Sequence, residues 1–184
     1  MPNSALSVHR PLGADPAQED EEAALGTLLR QLVLAVGPLN VLQAGCPHES
    51  LAVQLAAALN ENGRGRVMCC DADTARSQRE AAAIERAGLT GYGQVRSGSP
   101  ERVLPSVPGP VDLLLLGGVP ESHLPLLRLL EPRMLPGAVV LAYGVRRFAT
   151  RCAEFLAHLR LPGSGYVSLP LPFGAGLEMA VRAS

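Results

Sequence analysis

Two histidines and two glutamates in turn-rich stretches are the first candidates for chemistry in this sequence. His48 and Glu49 follow a glycine turn, and Glu121 and His123 come shortly after the Gly117-Gly118 pair. A histidine can act as a general base near neutral pH, and together with a carboxylate it can bind a metal ion. We therefore take His48 and His123 as candidate catalytic residues. The alternative is that both are solvated loop side chains.

An acid at the end of an apolar run is the next candidate. The run at 67–70 ends in Asp71, and an earlier apolar run breaks at Gly45. In a unit of strand, glycine turn, helix and second strand, an acid that ends the second strand can accept hydrogen bonds from a ribose. Asp71 is thus predicted to bind a nucleotide. Its other reading, as a solvated loop acid or helix cap with Asp73, stays open.

Alternating strands and helices must position these side chains. Apolar runs predict strands over 40–44, 66–70, 91–96, 111–116 and 138–142, and a closing hairpin over 166–171 and 177–181. Helical periodicity and capping residues predict helices over 20–36, 50–60, 74–87, 100–104, 124–130 and 146–160. Ser50, Ser122 and either Thr74 or Ser77 are the predicted helix caps. The pattern predicts a three-layer α/β fold with a mostly parallel seven-stranded sheet and a C-terminal antiparallel hairpin.

Length and composition restrict the class of protein. The 184 residues, 47% hydrophobic and 18% charged, fit one domain over 19–184 after a mobile lead-in over 1–18. We expect a cytoplasmic protein, because no signal peptide and no apolar run of about 18 residues is present. With a net charge of -1, scattered arginines and 3% aromatic residues, neither a nucleic acid nor a membrane is an expected partner.

Five segments carry a resemblance to a known family. They lie at 41–45, 66–73, 111–116, 135–138 and 173–177. In order and register they resemble the class I S-adenosylmethionine-dependent methyltransferases, specifically the small O-methyltransferases of the catechol and caffeoyl-CoA type. The resemblance covers residues 24–182 and implies a Rossmann-like methyltransferase fold.

The resemblance implies S-adenosylmethionine as the cofactor. The residues that it places around the cofactor are Gln43, Gly45, Cys46, Asp71, Ala72, Gly98, Ser99 and Gly117. Three positions depart from the family pattern. Gln43 and Ser99 stand where the family has acids, and Glu49 stands where it has a glycine.

The metal-binding positions of the family also differ here. The family holds a divalent cation with acids after the fourth strand and with an acid and an amide after the fifth. This chain has Gly117, Val119, Tyr143 and Gly144 at those positions, and Pro120 at that of the catalytic lysine. These side chains are not oxygen ligands that Mg²⁺ prefers, so no metal is expected.

Three hypotheses for the function follow. The first is a divergent, metal-independent methyltransferase that acts on a small molecule, with His48 or His123 as an optional base. The second is a non-catalytic protein that has kept the fold and lost cofactor and metal binding, a pseudo-enzyme or regulatory partner, with a homodimer through the N-terminal helix as one form. The third is a site rebuilt around the two histidines for another reaction.

Overall fold

A computed structural model describes residues 16–45, 47, 48 and 50–184, with only the backbone of residues 16–18. The lead-in predicted over 1–18 lies outside this part, except for 16–18, which open the first helix. Predictions that rest on Cys46 and Glu49 also lie outside it. Helix α1 spans Pro16–Val36 and begins four residues before the predicted start at 20.

Seven strands form one sheet in the order β3-β2-β1-β4-β5-β7-β6. The first five are parallel, and β7 runs antiparallel to both β5 and β6. The strands are β1 (Asn40–Ala44), β2 (Arg66–Asp71), β3 (Gly93–Ser97), β4 (Leu113–Leu116), β5 (Val139–Tyr143), β6 (Tyr166–Leu171) and β7 (Leu177–Arg182). The predicted fold class and the closing hairpin are confirmed.

Helices cover both faces of the sheet. The remaining helices are α2 (Leu51–Asn62), α3 (Thr74–Arg86), α4 (Pro100–Val103), α5 (His123–Leu130) and α6 (Ala153–Arg160). Helices α1, α2 and α3 pack in one apolar cluster, and α5 and α6 pack in the other with the turn after α4. Among the described residues, no helix is long and apolar enough to cross a membrane.

The central strand β4 explains why the sheet has two cores. Leu114 and Leu116 pack with the α5–α6 layer, whereas Leu113 and Leu115 pack with the α1–α3 layer, and all four are fully buried. A strand covered on both faces has no solvent side, so its sequence reads as a continuous apolar run.

The capping predictions were wrong in their details. Helix α3 is not capped by Thr74 or Ser77. It is capped by Asp73, the role left open for this acid in the sequence, whose side chain accepts a hydrogen bond from the Arg76 amide at 3.1 Å. Ser50 and Ser122 precede their helices but make no side-chain cap bond. Ser50 donates its hydroxyl to the distant Glu22 carboxylate instead. An ionised acceptor makes the stronger hydrogen bond, and it is supplied by another element.

The last predicted helix, over 146–160, is helical only in α6 from Ala153. The backbone amides of Arg146 and Arg147 donate to the carbonyl of Ala175 at 3.1 and 2.9 Å, and the amide of Gly144 donates to Gly176 at 2.7 Å. These bonds attach the chain after β5 to the turn between β6 and β7. The segment 144–152 therefore forms turns, which carry its side chains towards the carboxyl edge of the sheet.

Candidate functional site

One cavity of about 780 Å³ opens at the carboxyl ends of β1, β2 and β4. This is where ligands bind in open parallel sheets, because the strand order reverses there. The volume falls within the range of small-molecule sites. Residues from five parts of the chain line it: Ala44, Gly45, Asp71, Ala72, Asp73, Arg76, Ser99, Pro100, Glu101, Leu116, Gly117, Gly118, Val119, Pro120, Ser122, His123, Leu126, Arg147, Phe148 and Arg151.

Asp71 forms the wall of the cavity at the end of β2. One carboxylate oxygen accepts the amide of Asp73 at 2.8 Å, and the other lies 3.2 Å from the Arg76 guanidinium. The residue is only 7% exposed, so this carboxylate is held in one orientation. Hydrogen bonds and an opposite charge compensate a buried carboxylate. The acid predicted to bind a ribose thus lines the cavity as an oriented acceptor.

A second carboxylate, Glu101, lines the wall beyond β3. Ser99 donates its hydroxyl to Glu101 at 2.6 Å, and the Ser122 side chain also favours the ionised form of this carboxylate. Partial burial opposes ionisation, but these two hydroxyls hold the pKa of Glu101 below its usual value. The family pattern has an acid at position 99, so Glu101 was not predicted from the sequence. An acid two residues later was the available signal.

His123 lies in the same wall, at the first residue of α5. It is 2% exposed, and its ring meets Phe155 edge-on with 5.4 Å between the centroids. Neither ring nitrogen has a hydrogen-bond partner within the described part of the chain. Burial lowers the pKa of His123 to about 4, with the charge of Glu121 opposing the shift. The ring is therefore neutral at physiological pH.

An aromatic ring between two arginines borders the cavity on the side of the chain after β5. The guanidinium carbons of Arg147 and Arg151 lie 5.5 and 5.2 Å from the Phe148 centroid. Arg151 also forms a two-pronged ion pair with Glu121, one bond measuring 2.6 Å. Phe148 and Arg151 were not predicted to belong to the site, because the sequence pattern places both in a continuous helix over 146–160.

Glycines and a proline form the base of the cavity between β1 and β4. A Cβ added at Gly117 would lie 2.7 Å from Cγ of Pro47, and closer still to Cδ. Pro47 therefore occupies the space beside the first residue after β4. An acid at position 117 does not fit without displacement of this turn.

The predicted cofactor-binding residues fall into three groups. Lining the cavity are Gly45, Asp71, Ala72, Ser99 and Gly117. Two others do not line it. Gly98 comes directly before the lining residue Ser99, and Gln43 is fully buried within β1, where neither of its side-chain amide atoms bonds to any described residue. Cys46 lies outside the described residues. These roles stay predictions.

The two histidines predicted to be catalytic lie apart. His123 contacts the α5–α6 layer, whereas His48 lies outside the cavity and meets Tyr143, which packs with the α1–α3 layer. The Tyr143 hydroxyl donates to Glu21 at 3.1 Å. His48 Nε2 lies 3.1 Å from the oxygen of this tyrosine hydroxyl. Burial and the nearby Glu21 raise the pKa of Tyr143 to about 12. The structure does not join His48 and His123 in one site.

The residues that this chain has at the family's metal-binding positions do not fit a metal ion. Gly117, Val119 and Pro120 line the cavity without a carboxylate. Across the ranges that the structure describes, no group of three His, Cys, Asp or Glu side chains is placed to hold a metal ion. Hard divalent cations require several oxygen ligands, and this edge of β4 does not provide them.

The sequence also matches a family model. A model described as a methyltransferase domain matches residues 45–142, which is more than half of the chain. The chain belongs to this methyltransferase family. The matched segment includes β2, β3, β4 and β5 except its last residue, and with them the cavity walls around Asp71, Glu101 and His123. The family resemblance seen in the sequence is thus confirmed.

Solved structures share the fold of this methyltransferase domain. The SAH-bound methyltransferase PaMTH1 of Podospora anserina is 12% identical, with a TM-score of 0.76 over 93% of this chain and 89% of its own. The O-methyltransferase TomG of Streptomyces achromogenes, in complex with SAM, is 18% identical, with a TM-score of 0.75 over 93% of this chain and 91% of its own. An O-methyltransferase of Bacillus cereus in complex with SAH is 20% identical, with a TM-score of 0.69 over 93% of this chain and 92% of its own. No curated protein sequence matches the chain.

Proposed function

We propose that this methyltransferase domain binds S-adenosylmethionine in the cavity beside Asp71 and transfers the methyl group to a small molecule without a metal ion. The observation that carries the proposal is the oriented Asp71 carboxylate in the wall of a 780 Å³ cavity, at the carboxyl edge of the sheet. When bound, S-adenosylmethionine supplies a methyl group on a positively charged sulfur, which a nucleophile can accept directly.

The chemistry of the lining supports this ligand. Asp71 can accept hydrogen bonds from ribose hydroxyls, and Glu101 can accept one from an exocyclic amine. Leu116 and Leu126 add apolar surface to the lining. The SAM and SAH complexes of TomG and of the Bacillus cereus enzyme add support, because they share the fold.

The chain's own contribution to a transfer step would be binding and alignment. His123 is a poor general base at neutral pH, because its pKa of about 4 keeps its proton affinity low. His48 lies outside the cavity lining and is bonded to Tyr143. A reaction that depends on proximity and orientation is therefore the one these residues support best. The acceptor would have to be nucleophilic without strong assistance from a base.

Calorimetry with the purified chain tests the proposal. S-adenosylmethionine and S-adenosylhomocysteine are titrated into the protein with and without added Mg²⁺. We expect binding with a dissociation constant in the micromolar range and no effect of Mg²⁺. Absence of binding for both ligands at millimolar concentration would overturn the proposal.

A non-catalytic role is the second candidate, and one observation favours it. Pro47 packs against Gly117, so the turn after β1 fills space beside the end of β4. The Arg76 guanidinium also contacts the carboxylate that a ribose would use. If the cavity binds neither ligand, a binding or regulatory protein that has kept the fold is the better explanation.

The homodimer through α1 also stays a proposal. Leu34 and Val36, near the C-terminal end of this helix, are each 39% exposed. Sedimentation of the wild type and of a Leu34→Glu variant would test it. A monomer at micromolar concentration for the wild type would contradict it.

A further inference from the structure

His123 is a buried polar side chain placed in the cavity wall with no hydrogen-bond partner among the described residues. Both ring nitrogens are closed to water. A buried polar group without a partner destabilises the folded state by about 1–3 kcal/mol. An apolar ring of similar size would avoid that cost and would still pack against Phe155. A polar side chain here thus suggests a binding role.

The wall that holds His123 also holds Glu101 and Ser99. Ser99 donates its hydroxyl to Glu101 at 2.6 Å, and the Ser122 side chain further favours the ionised form of this carboxylate. The Ser99 hydroxyl has one proton, which Glu101 already accepts. The ionised Glu101 can only accept. The neutral imidazole of His123 is consequently the available side-chain N–H donor in this wall.

A purine base with an exocyclic amine has a matching edge. The amine is a donor, and a ring nitrogen beside it is an acceptor. The Glu101 carboxylate can accept a hydrogen bond from the amine, and the His123 ring can donate one to the ring nitrogen. Such a pair would distinguish an aminopurine from a base with a carbonyl at the same position, because the carbonyl oxygen would face the Glu101 carboxylate.

We propose that His123 is a specificity-determining residue, whose ring N–H donates to the purine ring nitrogen next to the exocyclic amine of the bound nucleoside. The inference rests on the proposed function and adds a base-reading residue to it. Because the nitrogens lie beneath the cavity surface, the ring turns about its side-chain bonds when the ligand binds. Rotamer changes of this kind are common at binding sites.

Ligand analogues test the inference on the unmodified protein. S-adenosylhomocysteine is compared by calorimetry with its 1-deaza and 7-deaza forms, which replace one or the other ring nitrogen beside the amine with a carbon. Loss of one neutral hydrogen bond should weaken binding of one of the two analogues to the wild type by about tenfold. If both analogues bind as tightly as the parent compound, the inference is overturned.

Two variants assign the effect to His123. His123→Phe removes both nitrogens but keeps a planar ring, and it should bind S-adenosylhomocysteine about tenfold more weakly and no longer distinguish the analogues. His123→Asn keeps a donor and should restore part of the discrimination. His158→Phe, the same change on α6 outside the cavity lining, should discriminate as the wild type does. Thermal unfolding of each variant confirms that it is folded.

The outcomes separate the two proposals. If the wild type does not bind S-adenosylhomocysteine at all, the proposed function fails and this inference fails with it. If the wild type binds but His123→Phe and His123→Asn bind equally well and still discriminate, only the inference fails. A histidine ring resonance that shifts when ligand is added, and that is lost in His123→Phe, supports the reorientation of the ring.

Discussion

Gly45 and Gly118 approach each other so closely, at the carboxyl ends of β1 and β4, that neither turn has room to move towards the other. A Cβ on Gly45 would lie 2.5 Å from the backbone nitrogen of Gly118, and closer still to its Cα. Gly45 also has a φ of +70° and donates its amide to Cys70 at 2.8 Å. The base of the cavity is therefore fixed by backbone packing.

This packing predicts a large effect of Gly45→Ala. The left-handed conformation alone costs an alanine about 1–2 kcal/mol, and the overlap with Gly118 adds to it, so we expect a loss of about 3 kcal/mol or more. Gly63→Ala is the matched control, because Gly63 has a φ of +72° and nothing within 4 Å of its added Cβ. Urea unfolding measures the free energy of unfolding of both variants. Equal losses would show that the Gly118 contact is not tight.

Asp71→Asn should weaken ligand binding. The amide keeps an acceptor for Asp73 but loses the charge, and we expect the dissociation constant for S-adenosylhomocysteine to rise about tenfold or more. The control is Glu85→Gln, an equivalent change at an exposed position on α3. Calorimetry on both variants is the measurement. Unchanged affinity in Asp71→Asn would remove the ribose role of this acid.

Tyr143→Phe tests the polar cluster of Glu21, His48 and Tyr143 that attaches α1 to β5. The change leaves Glu21 with its bond to the Ala175 amide, at 3.1 Å, but without the tyrosine hydroxyl. Loss of a part-buried bond to a charged group should lower the free energy of unfolding by about 1–3 kcal/mol.

The control for this change is Tyr92→Phe, since the Tyr92 hydroxyl makes no hydrogen bond in the part of the chain that the structure describes. Amide hydrogen exchange at the start of α1 should accelerate in Tyr143→Phe and stay unchanged in Tyr92→Phe. Equal exchange rates would mean that the cluster does not hold the helix.

His123 should make stability depend on pH. Its pKa falls from 6.5 to about 4 on folding, so between these values the unfolded chain binds a proton that the folded chain does not. Protonation then favours unfolding, and the stability present above pH 6.5 is lost as the pH falls towards 4. The wild type should lose up to roughly 3 kcal/mol over this window relative to His123→Phe.

Urea unfolding of the wild type and of His123→Phe at several pH values measures this difference. Taking the difference between the two proteins removes the contribution of carboxylates that do not interact with His123, such as Glu101. Parallel pH profiles would show that the imidazole keeps its ordinary pKa in the folded protein.

The sequence predicted elements whose burial is set by local pattern. The four leucines of β4 form a continuous apolar run, and the alternation of strands and helices followed by two short runs predicted the parallel sheet and its hairpin. Asp71 was placed correctly in the cavity wall because a residue that ends a parallel strand must lie at the carboxyl edge. These properties depend on periodicity and chain order, which the sequence contains directly.

What the sequence did not determine depends on contacts between distant residues. Ser50 and Ser122 were expected to cap helices, but neither makes a cap bond, and the Ser50 hydroxyl donates to Glu22 on α1 instead. The segment 144–152 was expected to be helical, but the turn at Ala175 and Gly176 takes its amides. The propensities of such residues are weak compared with the hydrogen bonds that a folded neighbour can offer.

The amino-acid sequence by itself thus determined the fold, the family and the edge of the sheet where the site lies. Only the tertiary structure decided that His48 and His123 contact different layers, that Glu101 faces the cavity, and that His123 is buried with no hydrogen-bond partner in the described part of the chain. The reason is physical: order and periodicity are properties of the chain, whereas burial and hydrogen-bond partners exist only after distant segments have packed together.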